Sequence, residues 1–162
     1  MSATNALRAI PAEARPFQGE PAGIASRVVA NCVDLAITIT ILFAIYGVVA
    51  AGLFLRRGAR FRFPTPTYLH AFILGSLILI VYFVVTWTAN GQTYGDRLMG
   101  IRVLDRSGAL LHPARAILRA VLCVLFPLLL FWAIVDARRR SVQDLIVRTS
   151  VVYDWRAHAG GA

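Results

Sequence analysis

The sequence predicts an all-α integral membrane protein with three hydrophobic segments and a small polar β-hairpin between the second and third. Composition supports that reading first. Of the 162 residues, 58% are hydrophobic and 15% charged, with a mean hydropathy of +0.66. Soluble domains run about 45–50% apolar and about 25% charged. The apolar residues also gather in three long runs, and the arginines flank those runs. A single domain of this length lacks the interior volume to hide so much apolar surface. A soluble enzyme, a secreted disulfide scaffold and a disordered chain are all disfavoured.

Net charge is +9, from 17 basic and 8 acidic residues, and every basic residue is Arg. In a soluble protein that balance suggests nucleic acid, but no nucleic-acid motif is present. Arginines at the ends of apolar runs meet lipid phosphate instead, so the expected partner is the lipid bilayer and not DNA or RNA. The Arg-only usage fits a GC-rich bacterial genome. Cys32 and Cys123 lie singly within apolar runs and read as packing residues rather than a disulfide or metal pair.

Residues 1–23 are polar, carry three prolines and lack the apolar core of a cleavable signal peptide, so they read as a loose tail. The membrane domain is expected over 24–153, with 154–162 as a C-terminal tail. Its first segment, about 28–55, holds one charge, Asp34. At about 1.5 Å per residue it reaches roughly 42 Å, beyond a hydrocarbon core of about 30 Å, so it tilts or its ends enter the headgroups. A basic loop follows with Arg56, Arg57, Arg60 and Arg62. The second segment, about 68–89, offers Tyr68, Tyr82 and Trp87 as interfacial anchors.

Residues 90–116 form a polar loop broken by Gly91, Gly95 and Gly100. Ile101–Asp105 reads as a strand, Arg106-Ser107-Gly108 as a turn and Ala109–His112 as the returning strand. Pro113 suits the first turn of a helix. The third segment, about 117–135, carries Arg119 near its start and Pro127 at its middle. Three full spans put eight arginines on one side and nine on the other, so the positive-inside rule assigns no orientation. A re-entrant third segment, bent at Pro127, instead puts thirteen of them on one side against four on the other. The expected orientation has a cytoplasmic N-terminus, with the side of the C-terminus open.

The chemistry concentrates on the first segment. Arg27, Asn31, Asp34 and Thr38 are spaced 4, 3 and 4 apart, which places them on one helical face. Asp34 lies about two turns inside the apolar boundary, where an ionised carboxylate costs about 2.5–3.5 kcal/mol on the gentler insertion scales. It is therefore neutral, paired or facing water. One reading makes it a structural pair with Arg27, Arg119 or an amide; the other makes it a proton- or cation-binding site. Arg119 either snorkels with Arg115 to lipid phosphate or faces inward as the partner of Asp34. Asp144, four residues from both Arg140 and Arg148, reads as part of a surface ion-pair ladder, and Asp136 with Arg139 and Arg140 reads likewise. The scattered histidines His70, His112 and His158 suggest no metal site. Gly91-Gln-Thr-Tyr-Gly95 signals a turn and lacks the Lys and Ser/Thr of a phosphate loop. No cofactor, metal or enzyme motif is expected.

Several of these residues together resemble the RDD family of small bacterial membrane proteins, named for one Arg and two Asp. The matching positions are Arg27 and Asp34 in SRVVANCVDLA and Asp144 in RRRSVQDLIVRTSVV. GQTYGDRLMGIRVLD resembles the family's segment after the second span, through Gly91, Thr93, Gly95, Gly100 and Val103. Arg119 resembles an Arg found at the start of the last span. The chain departs from the pattern at Asp96, where a basic residue is usual, at Gln143, where His or Gly precedes the late Asp, and at Val147-Arg148. The resemblance implies a bacterial inner-membrane, multi-pass protein and a role in transport of unidentified ligands, with cation–proton exchange one suggestion. On that basis Asp34 is the expected proton or cation acceptor, tuned by Arg27, with Asn31 and Thr38 as neutral ligands. Asp144 is expected to pair with Arg27 or Arg119 at the membrane face. Three spans are few for enclosing a path, so a homo-oligomer or other membrane subunits are expected. The alternative is a non-transporting structural or assembly subunit whose charged trio staples helices together.

Overall fold

The computed structural model describes residues 16–134, 136 and 140–155. Two long helices dominate: α1 (Ile24–Arg57) and α2 (Tyr68–Ala89). Both are long and apolar enough to cross a membrane. α1 begins after Gly23 and ends where Gly58 takes φ +52° and donates to the Phe54 carbonyl, with Arg56 and Arg57 in the last turn opposing the helix dipole. α2 spans the residues expected for the second segment. Over most of both helices Phe43, Val48, Phe72 and their neighbours face outward. In water such a surface would aggregate; in a bilayer it is the lipid face.

The polar loop after α2 folds into a compact cap. Thr93 and Asp96 close a capping box that starts the one-turn helix α3 (Tyr94–Leu98). Strand β1 (Ile101–Asp105) follows, with its residues as expected. The turn at Arg106-Ser107-Gly108 also forms: Asp105 accepts from the Ser107 N–H and hydroxyl, and Gly108 takes φ +81°. The returning strand does not. Ala109–His112 runs without regular structure, and β1 pairs antiparallel with β2 (Thr149–Tyr153) at the far end of the sequence. The register sets Val103 opposite Val151 and Asp105 opposite Thr149. The β-branched run TSVVY presents Thr149 and Val151 to the interior, a better pleated surface than ALLH.

Residues 19–22, assigned from sequence to the tail, extend this sheet. Gly19 N–H and Ala22 N–H donate to the carbonyls of Tyr153 and Val151, and Tyr153 N–H donates to Glu20. The start of α1, the end of α2 and β2 therefore meet at one end of the molecule. The rest of the sequence-assigned N-terminal tail, residues 1–15, lies outside the described residues.

The third apolar segment is not one straight helix. α4 (Pro113–Leu125) opens with His112 as N-cap and Pro113 in its first turn. Beyond Phe126 the chain resumes as a 3₁₀ segment, Pro127–Ile134, turned by 94° from α4. Pro127 has no N–H to give the helix, and its ring excludes the preceding helical geometry. By length and composition the described residues thus hold two helices able to cross a membrane, or three if the bent pair counts as one. A last short helix, α5 (Val142–Val147), leads into β2 through Arg148, which takes the left-handed conformation at φ 60°.

The buried apolar core lies at the capped end, around Ala30, Phe83, Trp87, Ile101, Val103, Ala116, Ala120 and Val151. Small residues on α1 and α3 let their backbones approach. Gly95 shows how closely: a β-carbon there would collide with the Ala30 carbonyl of α1.

Candidate functional site: a buried Arg–Asp cluster at the capped end

Asp144 sits at the third position of α5. Its carboxylate accepts from the Ser141 N–H at 3.0 Å while the Ser141 hydroxyl accepts from the Asp144 N–H, which fixes the side chain beneath α4. Arg27, in the first turns of α1, donates through Nη1 to Oδ2 at 2.5 Å, and its Nε–H reaches the Ala22 carbonyl. Arg119 of α4 donates to Oδ1 and to the Thr149 hydroxyl. One carboxylate thus joins three parts of the chain far apart in sequence. All three groups are interior: Arg27 is 4% exposed, Arg119 5% and Asp144 1%. Burial opposes ionisation of Asp144, but the guanidiniums of Arg119 and Arg27 outweigh it and hold the carboxyl well below the usual carboxylate range.

Asp34 is equally buried, at 1% exposed, in a separate neutral cradle. The Tyr82 hydroxyl and the Gly95 N–H donate to Oδ1, both at 2.9 Å, and the Thr93 hydroxyl donates to Oδ2 at 2.6 Å. The expected pairing of Asp34 with Arg27 or Arg119 is therefore overturned. Sharing a helix face with Arg27 does not bring them together, because the Arg27 guanidinium turns to Asp144. Thr38 is buried on the same stripe but donates to the Asp34 carbonyl within the helix, so it does not ligate the carboxylate. Asn31 is exposed, at the edge of the small cavity lined by Arg27, Asp96 and Arg119.

Three other expectations change. Arg119 does not snorkel; it faces inward, with Asp144 as its partner instead of Asp34. Asp144 is no member of a surface ladder with Arg140 and Arg148: Arg148 is exposed, and Arg140 pairs with Asp136 at 3.0 Å. Arg139, the other expected partner of Asp136, lies outside the described residues. Tyr82 and Trp87 are not interfacial anchors. Trp87 is buried, stacked on Phe83 at 4.7 Å with the Arg119 guanidinium 5.1 Å above its ring.

Sequence reasoning placed none of Thr93, Gly95, Trp87, Asp96 and Gln143 at the site, although Thr93 and Gly95 were among the positions that carried the resemblance. The indole N–H of Trp87 donates to Asp96, whose carboxylate also accepts from the Thr93 N–H. Asp96 is buried, and burial pushes its carboxyl above the ordinary value. Gln143 is buried and donates through Nε2 to the Phe126 carbonyl, holding the bend before Pro127. The two capping boxes, Thr93-x-x-Asp96 and Ser141-x-x-Asp144, were visible as patterns and would have marked both acids as fixed near a helix start.

The RDD family matches residues 21–148, most of the chain. This chain belongs to the RDD family. Among curated proteins and solved structures, none matches it. In this RDD protein the Arg and the late Asp that carried the resemblance bond to each other, while the first Asp is held by the GQTYGD segment. The glycine at 95 has a physical reason here, since α3 packs its backbone directly on α1. Among the described residues no group of His, Cys, Asp or Glu is placed to hold a metal ion. The capped end thus gathers five ionisable groups screened from solvent: the carboxyls of Asp34, Asp96 and Asp144 and the guanidiniums of Arg27 and Arg119.

Proposed function

We propose that this RDD protein is a multi-pass protein of the bacterial inner membrane that takes part in proton-coupled transport of a small solute or cation, with the buried cluster as its proton-holding element. The observation carrying the reading is the charge imbalance. Three carboxylates against two guanidiniums leave one negative charge uncompensated in a low-dielectric interior, where an unpaired ion is expensive. One proton shared within the cluster removes that cost, and burial raises the carboxyl of Asp96, outside the spans, above its ordinary value.

The same end-to-end arrangement supports a topology. Bonds from residues 19–22 to β2, and from β1 to β2, draw the start of α1, the end of α2 and the C-terminal strand together. Two crossings by α1 and α2, with the third segment bent back at Pro127, satisfy that closure. Of the arginines among the described residues, eight then lie at the capped end against Arg56, Arg57, Arg60 and Arg62 at the other, and the positive-inside rule makes the capped end cytoplasmic. Two full spans enclose no pathway alone, so the reading requires a second copy or another membrane subunit.

A structural or assembly role is the second reading, favoured by a specific observation: both oxygens of Asp34 and of Asp144 are engaged by protein donors. Asp34→Asn and Asp96→Asn separate the two. In sealed vesicles, the transport reading expects pH-coupled flux in the wild type, lost in at least one of these variants while each stays folded. Absence of flux in the wild type, or flux unchanged in both variants, contradicts it and leaves the structural role.

A further inference from the structure

Beside the Arg27–Asp144–Arg119 trio lies a cavity of about 20 Å³, walled by residues of α1, α2, α3, β1, α4, α5 and β2. Two buried polar atoms belonging to its lining residues have no partner among the described residues: Nε of Arg119 and Oε1 of Gln143. Arg119 and Gln143 are 5% and 1% exposed. A buried group left without its hydrogen bond costs about 1–3 kcal/mol, more when charged, so two such atoms at one cavity call for a common partner.

We propose that this cavity is the site of one bound water molecule bridging Arg119 Nε–H to Gln143 Oε1. The chemistry of the two atoms selects the ligand. Nε–H requires an acceptor. Gln143 presents its oxygen because its Nε2 is committed to the Phe126 carbonyl, so the second atom requires a donor. A cation would face the guanidiniums of Arg27 and Arg119 and finds no use for Nε–H. A halide would accept from Nε–H but set its charge against the Gln143 oxygen and the Asp96 carboxylate, which also lines the cavity. Water is neutral, both accepts and donates, and fits a space just above the roughly 10–15 Å³ that one molecule needs. The bridge ties the bend before Pro127 to the charge cluster, since Gln143 holds Phe126 on one side and the water on the other. The inference does not depend on transport.

Water-edited solid-state NMR on the full chain in lipid bilayers, with ¹⁵N-labelled arginine, reads the site directly. The expected result is rapid magnetisation transfer from water to Arg119 Nε, which is buried from bulk solvent. Gln143→Met keeps the side-chain length and removes the acceptor; transfer to Arg119 Nε is expected to fall at least severalfold while the Trp87 environment stays native. Three results would each overturn the proposal: wild-type transfer no faster than to buried backbone amides, transfer unchanged in Gln143→Met, or an anomalous bromide peak at the cavity in crystals soaked in bromide. Should Gln143→Met fail to fold, Gln143→Glu retains an acceptor and must preserve the transfer.

Discussion

Replacing Asp144 by Asn keeps the volume and one acceptor oxygen but removes the charge that two buried arginines share. An amide nitrogen then faces one of the guanidiniums, and neither Arg27 nor Arg119 has bulk water to turn to, their side chains being 5% and 6% exposed. Removing one partner of a buried ion pair costs about 3–5 kcal/mol. With two cations stranded, the upper part of that range applies. A chain of this size loses roughly 2–4 °C of melting temperature per kcal/mol, which puts the expected drop at about 10 °C or more. Trp87, under the Arg119 guanidinium, is a built-in reporter, so thermal unfolding in nanodiscs followed by tryptophan fluorescence reads the change. Arg115→Gln is the control, because the half-exposed Arg115 side chain pairs with Asp105 at 3.6 Å and loss of such a surface pair should leave the midpoint unmoved. If stranded positive charge is the cause, Arg27→Met, Arg119→Met and Asp144→Leu together should be more stable than Asp144→Asn alone. An Asp144→Asn protein melting with the wild type would refute the reasoning.

Two further outcomes follow from the same geometry. Gly95→Ala drives a β-carbon into the Ala30 backbone and should cost about 1–3 kcal/mol or more, seen as a lowered melting midpoint, whereas Gly52→Ala, within α1 and facing open space, should leave the midpoint unchanged or slightly raised. Stability should peak between two limbs of pH. Asp144 has a folded-state pKa below its unfolded value, so its contribution is present above the ordinary carboxylate range and is lost as pH falls below it. Asp96 is shifted upward, so the folded state binds the extra proton and stability declines as pH rises from the ordinary range through the raised value. Asp96→Asn should flatten the upper limb only, in melting midpoints measured across pH.

The parts of the fold governed by local pattern were legible in the sequence. The apolar runs gave α2 to the residue and α1 to within a turn or so at each end, and the alternation in IRVLD gave β1. Pairing over long sequence separations was not legible. A turn at Ser107-Gly108 argues locally for a hairpin, and nothing in ALLH says that TSVVY, some forty residues on, presents the better β surface. The candidate site divides the same way. Depth alone marked Asp34 as a residue needing partners, but periodicity proposed Arg27, its neighbour on the same helix. The partners came instead from the Tyr82 hydroxyl on α2 and from a glycine-broken segment that supplies the Thr93 hydroxyl and the Gly95 N–H. Asp144 looked like a surface residue because arginines stand four positions to either side. Its burial depends on α5 being a single capped turn packed under α4, and it was the resemblance, rather than spacing, that suggested Arg27 and Arg119 as partners.

The central claim is that the Arg27–Asp144–Arg119 bonds hold the start of α1 and the C-terminal strand at one membrane face, with the third segment turning back. Single cysteines at Ala59, Ser107 and Ser150, in a background with Cys32 and Cys123 replaced, test it by labelling intact cells with a membrane-impermeant maleimide before and after permeabilisation. The account predicts that positions 107 and 150 react only after permeabilisation and position 59 before it. Labelling of 107 and 150 from opposite sides of the membrane would contradict it.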